Sequence, residues 1–461
     1  MLAIGAAGLA VSVLVLSACG GGSGSATSSS STTVSVPGAA RIPQPPVSDL
    51  NKRTRGRLAP ASHRVDLTAP TFSNPTEITN RLFPISNLQS VVLVGKLHGK
   101  PWRAETNLLP GTRTVDWNGQ RIKVLESQFV AYLNGRIFEV AIDRYAQADD
   151  GSVWYLGEDA FTYKGGRAVD TEGTWVAGVQ GPPAMIMPAN PQVGDVYRTE
   201  NIPGLVFEEV TIKRTEVTVK GPTGPVHGAI IGQELHMDEK RLEEKTFAPG
   251  YGEFFSGGGS TYEATALAVP ADSSSTGPPA ALSKLSTGAT RVLGAIGSGN
   301  WAAASAGVKG MNAAWSTQSN AGPQRLDAEM GNTLDALTQA VRARRARKGS
   351  AAAVDAAQAA LDLELQYRPA AAVNVDRFAL WARRLTLDAR AGAQGAVDGD
   401  IATLDWIRGR LPLATSDANR IDDQLRFLDL ATEARQLTPV AHAAARLEQS
   451  IATVASVTAG G

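Results

Sequence analysis

The residues of this chain best placed to do chemistry are carboxylates. Glu126, Asp143 and Glu158 stand on three successive apolar-alternating runs, separated by Asn134-Gly135 and Asp150-Gly151. Both dipeptides favour two-residue type I′ hairpin turns, in which φ is positive. Tight turns at both places set Glu126 opposite Asp143 and Asp143 opposite Glu158. Strict side-chain alternation then puts all three acids on one face of three adjacent strands. Opposed carboxylates about 5 Å apart repel one another, so such a row needs a bound cation, a retained proton or an Arg or Lys reaching over. The same face carries Gln128, Tyr132, Glu139, Tyr145, Trp154 and Leu156, whereas Leu125, Phe129, Phe138, Val140, Ile142 and Tyr155 form the expected core face. Glu126, Asp143 and Glu158 are therefore the expected divalent-cation site, with calcium as its ion. Tyr145 and Trp154 extend it into a surface for a polar small ligand. Two blander readings compete: a β-bulge that breaks the row, or a plain solvated acidic face.

Other templates for chemistry are missing. The five histidines, His63, His98, His227, His236 and His442, are scattered without His-x-x-x-His or Glu-x-x-His spacing. No Gly-x-Ser-x-Gly elbow or phosphate-binding Gly-Lys-Ser/Thr loop occurs. Asp149-Asp150-Gly151 is not a calcium loop of the EF-hand kind, because Ala146 and Ala148 stand where such a loop needs side-chain oxygens. Gly257-Gly258-Gly259 reads as a strand connection. The chain is expected to bind rather than catalyse. The alternatives are an envelope hydrolase using paired carboxylates and an assembly factor for envelope components.

These side chains need a scaffold. The 461 residues suffice for several domains. With 44 Lys+Arg against 44 Asp+Glu, the chain lacks the basic excess that a nucleic-acid partner requires. Its single Cys excludes an intrachain disulfide. From 66 to 269 the apolar period is two, and Asn118-Gly119, Asn134-Gly135 and Asp150-Gly151 punctuate it, which predicts an antiparallel β-meander or partly open barrel. Further strands are expected at Ser90–Leu97, Trp102–Leu108, Glu208–Val219, Gly228–Leu235, Leu242–Phe247 and Tyr262–Ala268. Residues 270–279, rich in Ser and Pro, read as a linker. From 280 to 457 the chain is Ala-rich with apolar residues at three- and four-residue intervals, which predicts an antiparallel bundle of six to eight helices. Its one dense basic run, Arg342 to Lys348, suits either a solvated helix end or anionic lipid head groups.

At the other end, the apolar stretch Leu9 to Leu16 is too short to span a bilayer of about 30 Å. It leads into Leu16-Ser17-Ala18-Cys19, which resembles the lipobox of bacterial lipoproteins. That resemblance implies that residues 1–18 are a lipoprotein signal peptide and that Cys19 carries the lipid. The mature protein is then anchored to the cell membrane or outer membrane and faces away from the cytoplasm. The Gly-, Ser-, Thr- and Pro-rich stretch from 19 to 65 is expected to be a flexible tether.

The β region also carries Asn80-Arg81-Leu82-Phe83-Pro84, Asp143-Arg144-Tyr145-Ala146-Gln147, Gly151 to Asp159, Met185-Ile186-Met187-Pro188-Ala189 and Phe247-Ala248-Pro249-Gly250-Tyr251-Gly252. These elements resemble an uncharacterised family of bacterial secreted β domains. The resemblance implies an exported protein and supplies no catalytic residues.

Overall fold

The computed structural model describes residues 40–237, 242–319 and 321–458. Fifteen strands form one antiparallel sheet. In chain order these are β1 (Ser90–Leu97), β2 (Lys100–Leu108), β3 (Arg113–Trp117), β4 (Gln120–Leu133) and β5 (Arg136–Gln147). Next come β6 (Val153–Lys164), β7 (Arg167–Asp170), β8 (Trp175–Val176), β9 (Ala184–Met187) and β10 (Val196–Ile202). The last are β11 (Val206–Lys220), β12 (Pro225–His236), β13 (Glu243–Ala248), β14 (Gly252–Gly258) and β15 (Thr261–Val269). The meander that composition predicts is present. Strands β10 to β15 follow one another, β15 pairs with β1, and the path continues through β2, β4, β5, β6 and β7. Asn118-Gly119 and Asn134-Gly135 make the expected tight turns with positive φ at both residues. The sheet is not closed. It curls, however, so that β9, hydrogen-bonded to β6, stands beside β10, and residues of both join one apolar core.

The C-terminal half consists of helices. They are α2 (Ala280–Gly297), α3 (Trp301–Gln318), α4 (Gln324–Arg342), α5 (Ala346–Glu364), α6 (Ala370–Arg390), α7 (Gln394–Arg408), α8 (Thr415–Glu433) and α9 (Leu437–Thr458). A four-residue helix, α1 (Lys52–Arg55), lies before the sheet. No helix among the described residues is long and apolar enough to cross a membrane.

The helices cover the outside of the curled sheet. Val130, Tyr132, Ile137 and Val140 pack with Phe378, Trp381 and Leu404, and Tyr132 stacks on Trp381 at 5.4 Å. Val92, Ala266 and Leu267 pack with Leu282, Leu285 and Leu337. The face of β4 and β5 turned away from the interior is thus covered rather than open to solvent. A buried ionic cluster crosses this seam. Arg103 contacts Asp362 at 2.6 Å, Arg377 contacts Asp362 at 2.6 Å and Glu105 at 3.5 Å, and Arg410 pairs with Glu105.

Two segments expected to be loose are packed. Asp272 accepts hydrogen bonds from Tyr251 Oη at 2.7 Å and from the Ala268 amide at 2.9 Å, and the Ser274 amide donates to the Gln366 carbonyl. The linker is therefore pinned to both halves. Residues 41–65, assigned by composition to the tether, belong to the β half. Ile42 enters the main core, Leu50 packs on Phe207 and Met237, and Asn51 and Thr54 donate to the Met237 carbonyl. A Pro-rich stretch forms few hydrogen bonds of its own, but a few apolar side chains suffice to pin it where neighbouring strands supply the partners. Cys19 and the signal segment lie outside the described residues.

Candidate functional site

Alternation along the strands from β10 to β15 sends a row of polar side chains into the curled interior. Across the sheet Glu200 on β10 faces Glu208 on β11, and Glu208 faces His236 on β12. Glu234, two residues before His236 and so on the same face, stands opposite Glu243 on β13. Lys245 stands opposite Ser256 on β14, and Ser256 opposite Glu263 on β15. Glu158 on β6 reaches the same region, with its carboxyl against that of Glu200. Every one of these residues is at least nine-tenths buried.

His236 is the hub. Its Nδ1 lies 2.8 Å from Glu208 Oε1, and its Nε2 lies 3.0 Å from Glu243 and 3.5 Å from Glu234. One donor atom each from Glu208, Glu234 and His236 falls within 4.8 Å of the others. Thr199 Oγ1 donates to Glu208 at 3.1 Å and to Glu234 at 3.3 Å, and Ser256 Oγ donates to Glu243 at 2.7 Å. Lys245 Nζ sits 3.3 Å from Glu234 and 3.2 Å from Glu253. Against the two cations, His236 and Lys245, the cluster holds seven carboxyls: Glu158, Glu200, Glu208, Glu234, Glu243, Glu253 and Glu263. Among the described residues no N–H or hydroxyl donor reaches Glu158, Glu200 or Glu263; Glu158 and Glu200 hydrogen-bond to each other through a retained proton, and Glu263 does so to Glu253.

The electrostatics follow from that imbalance. Burial pushes Glu158, Glu200 and Glu263 well above the usual carboxylate range, and a neighbouring carboxylate adds to it in each case. Glu234 is pushed up to about 8, first by burial and then by Glu208. Burial also acts on Glu208, but the His236 imidazolium outweighs it and pulls the group down to about 2. The same pairing, against burial, holds the imidazole well above its ordinary value. The interior therefore holds several of its carboxyls in the protonated form.

The predicted acidic row is only half present. Asp143 and Glu158 do stand opposite each other, both buried. Glu126 does not join them, because it faces Arg144, one position out of step. The Asn134-Gly135 turn is tight, but a bulge between Ala131 and Tyr132 leaves Phe138 as an extra residue on β5. A one-residue shift sends Glu126 to the other face, where it pairs with Arg144 at 3.5 Å and Arg113 at 3.4 Å. The Asp150-Gly151 reversal is longer than two residues: the Ala148 amide donates to the Ser152 carbonyl, and Asp150 caps Ser152. A second bulge at Gly157 restores the Asp143–Glu158 pairing. There φ is +130°, and a Cβ would lie 2.3 Å from the Trp175 carbonyl oxygen, so only glycine fits.

The two predicted aromatic residues are core. Tyr145 stacks on Tyr155 at 5.0 Å, and Tyr155 Oη donates to Asp143 at 2.6 Å. Trp154 lies opposite Ala146, off the Tyr145 face, and its indole donates to Ser152 Oγ. The three-residue site Glu126–Asp143–Glu158 is therefore corrected: Asp143 and Glu158 border the acidic interior, and Glu126 belongs to a partly exposed ion pair. Asp143 also borders a cavity of about 50 Å³ lined by Phe83, Phe129, Tyr145, Tyr251 and Glu253.

Several of the sequence elements on which a family resemblance was expected touch one another. The Asn80 side chain donates to the Gly151 and Pro188 carbonyls, the Gly250 amide donates to the Arg81 carbonyl, and Phe83 packs on Tyr145 and Phe247. No protein-family model, curated protein or solved structure matches this chain.

Proposed function

We propose that the protein is an exported, lipid-anchored binding protein of the bacterial cell envelope, without chemistry of its own, and that its β half takes up a cation in the acidic interior. The anchoring part rests on Leu16-Ser17-Ala18-Cys19. The binding part rests on one observation: six buried carboxyls and the partly buried Glu253 stand against two cations, and three of the seven meet no N–H or hydroxyl donor among the described residues, only another carboxyl. An uncompensated buried charge is expensive, so such a cluster is stable only with protons or an ion in place.

The hydrolase alternative fits less well. Asp143 and Glu158 are the paired carboxylates it would use, and the cavity beside Asp143, at about 50 Å³, has room for a few water molecules rather than a sugar ring.

Melting the chelator-stripped full chain with millimolar magnesium, calcium, manganese or zinc tests the binding part. At least one of them is expected to raise the melting temperature, and no shift with any of the four would sink it. Fractionation of cells producing the wild type and Cys19→Ser tests the anchor. The wild type is expected in the membrane fraction and the variant outside it, and an unchanged distribution would remove the anchor.

A further inference from the structure

We propose that Glu208, Glu234 and His236 form a mononuclear site for a first-row divalent transition metal of the zinc or manganese class. The inference deepens the cation-binding reading and rests on it. It names the ligands and the kind of ion.

The donor set comes first. Two carboxylates and one imidazole offer atoms within 4.8 Å of one another, on side chains 1%, 2% and 1% exposed. They sit on paired strands, Glu208 directly opposite His236 and Glu234 two residues along the same face, so backbone ladders fix their separation. A nitrogen donor among oxygens suits zinc, manganese or iron, whereas calcium prefers six to eight oxygen ligands and magnesium an octahedron built largely from oxygen and water.

The surroundings are arranged as a metal-ligating histidine requires. Such a histidine usually keeps one ring nitrogen on a carboxylate that fixes its orientation while the other binds the ion. His236 has carboxylates at both ring nitrogens, Glu208 at 2.8 Å on one side and Glu243 at 3.0 Å on the other. Glu243 is in turn held by Ser256, and Thr199 bridges the two candidate carboxylate ligands. On binding, the imidazolium gives up one N–H proton and the Glu234 carboxyl gives up its proton, both to solvent, and the ion takes their place, which leaves a neutral unit of M²⁺, two carboxylates and a neutral ring.

The independent pointer is the row of buried carboxyls that meet no N–H or hydroxyl donor and have only one another as partners. Glu200 lies directly across the ladder from Glu208, and Glu158 lies against Glu200. Neither has a reason to be ionisable in a structural core, and both stand where an ion's positive field would be felt. Lys245 does not fill that role, because its ammonium is engaged by Glu253 and by Glu234.

The test loads the chelator-stripped full chain with zinc or manganese, desalts it and counts bound metal by mass spectrometry. X-ray absorption spectroscopy on the loaded wild type then reads the ligands. One equivalent per chain is expected, with imidazole scattering, and millimolar calcium is expected not to displace it. His236→Asn and Glu208→Gln are expected to weaken binding at least tenfold, the scale on which even supporting residues of metal sites act. Should those variants fail to fold, the absorption spectrum of the wild type decides alone. A bound metal with oxygen ligands only, or full binding by folded His236→Asn, overturns the proposal. Stabilisation by calcium that survives in His236→Asn would overturn this site and leave the broader cation-binding reading standing. No effect of any divalent ion would remove both.

Discussion

Glu105 and Glu263 are equally deep, 1% and 0% exposed, and stand on strands β2 and β15 of the same sheet. Glu105 points to the helices and meets Arg103 at 2.7 Å, Arg377 at 3.5 Å and Arg410. Burial pushes its carboxyl up, but those three guanidinium groups outweigh burial and hold it well below the usual range. Glu263 points into the curl and meets another carboxyl, Glu253, with no N–H or hydroxyl donor at either oxygen and only the more distant field of Lys245 to offset burial. Desolvation is the same in both places; the supply of positive charge differs. A seam whose purpose is adhesion carries its own counter-charges, because an unmatched charge there would weaken the join. The interior holds more acids than cations, and the proposed cation would supply the missing counter-charge. That contrast is the physical basis for assigning the seam to stability and the interior to binding.

The sharpest way to break the comparison is to neutralise one acid from each region. Glu105→Gln leaves Arg103 and the buried Arg377 with Asp362 as their remaining acid, and the buried Arg410 with none of its acidic partners. It is expected to cost about 3–5 kcal/mol in chemical denaturation of the full chain. Glu263→Gln, measured in chelator, replaces a carboxyl that burial and Glu253 keep protonated with a neutral amide and is expected to be close to neutral. Equal losses from both would mean that Glu263 is paired after all, and the interior would be a structural core like the seam.

The pH dependence separates the two regions by sign. Burial pushes Glu139 and Asp143 up to about 8. A folded-state value above the unfolded one means that the native chain binds more protons in between, so the stability these groups lend is complete below about 4.5 and is lost as pH rises towards about 8. Glu105, held low, works the other way: its contribution is present above the usual carboxylate range and is lost on acidification. In chelator, the melting temperature of the wild type is expected to fall between about pH 5 and 8 more steeply than that of Asp143→Asn. Parallel slopes would show that Asp143 is ionised throughout and that the interior already has its counter-charge.

Much of the architecture was legible because local chemistry and global fold agree. Ser90–Leu97 is the first strand as read, the Asn-Gly turns at 118 and 134 have the positive φ that their residues favour, and the helices begin at Ala280. Helix starts inside the bundle are harder to read: Asn374 and Asp400, of residue types that favour caps, lie within helices and are buried, Asn374 accepting from Arg377. The metal-type cluster was missed for a related reason. Histidine spacing was tested against helical templates, whereas Glu234 and His236 are two apart on a strand, and Glu208 is brought in by a ladder that no local pattern encodes. The signal available was the Glu-x-His alternation of β12 together with Glu243-x-Lys245 on β13. In a curled sheet that polar face can be the inner one. A single bulge at Phe138 was enough to move Glu126 to the other face, and bulges leave little trace in composition.

Glu126 therefore supplies the smallest effect and the finest discrimination. Its carboxylate is 23% exposed, and its two partners, Arg113 and Arg144, also pair with Asp159. Glu126→Gln leaves Asp159 in place, so the loss is expected to stay below about 1 kcal/mol, the range of partly exposed ion pairs. Any divalent-induced rise in melting temperature is expected to be unchanged. Asp143→Asn, one pleat away on the inner face, is expected to alter the pH slope instead. A Glu126→Gln variant that lost the divalent response would mean that β4 and β5 pair in solution without the bulge. The acidic row would then be restored, with Glu126 back beside Asp143 and Glu158.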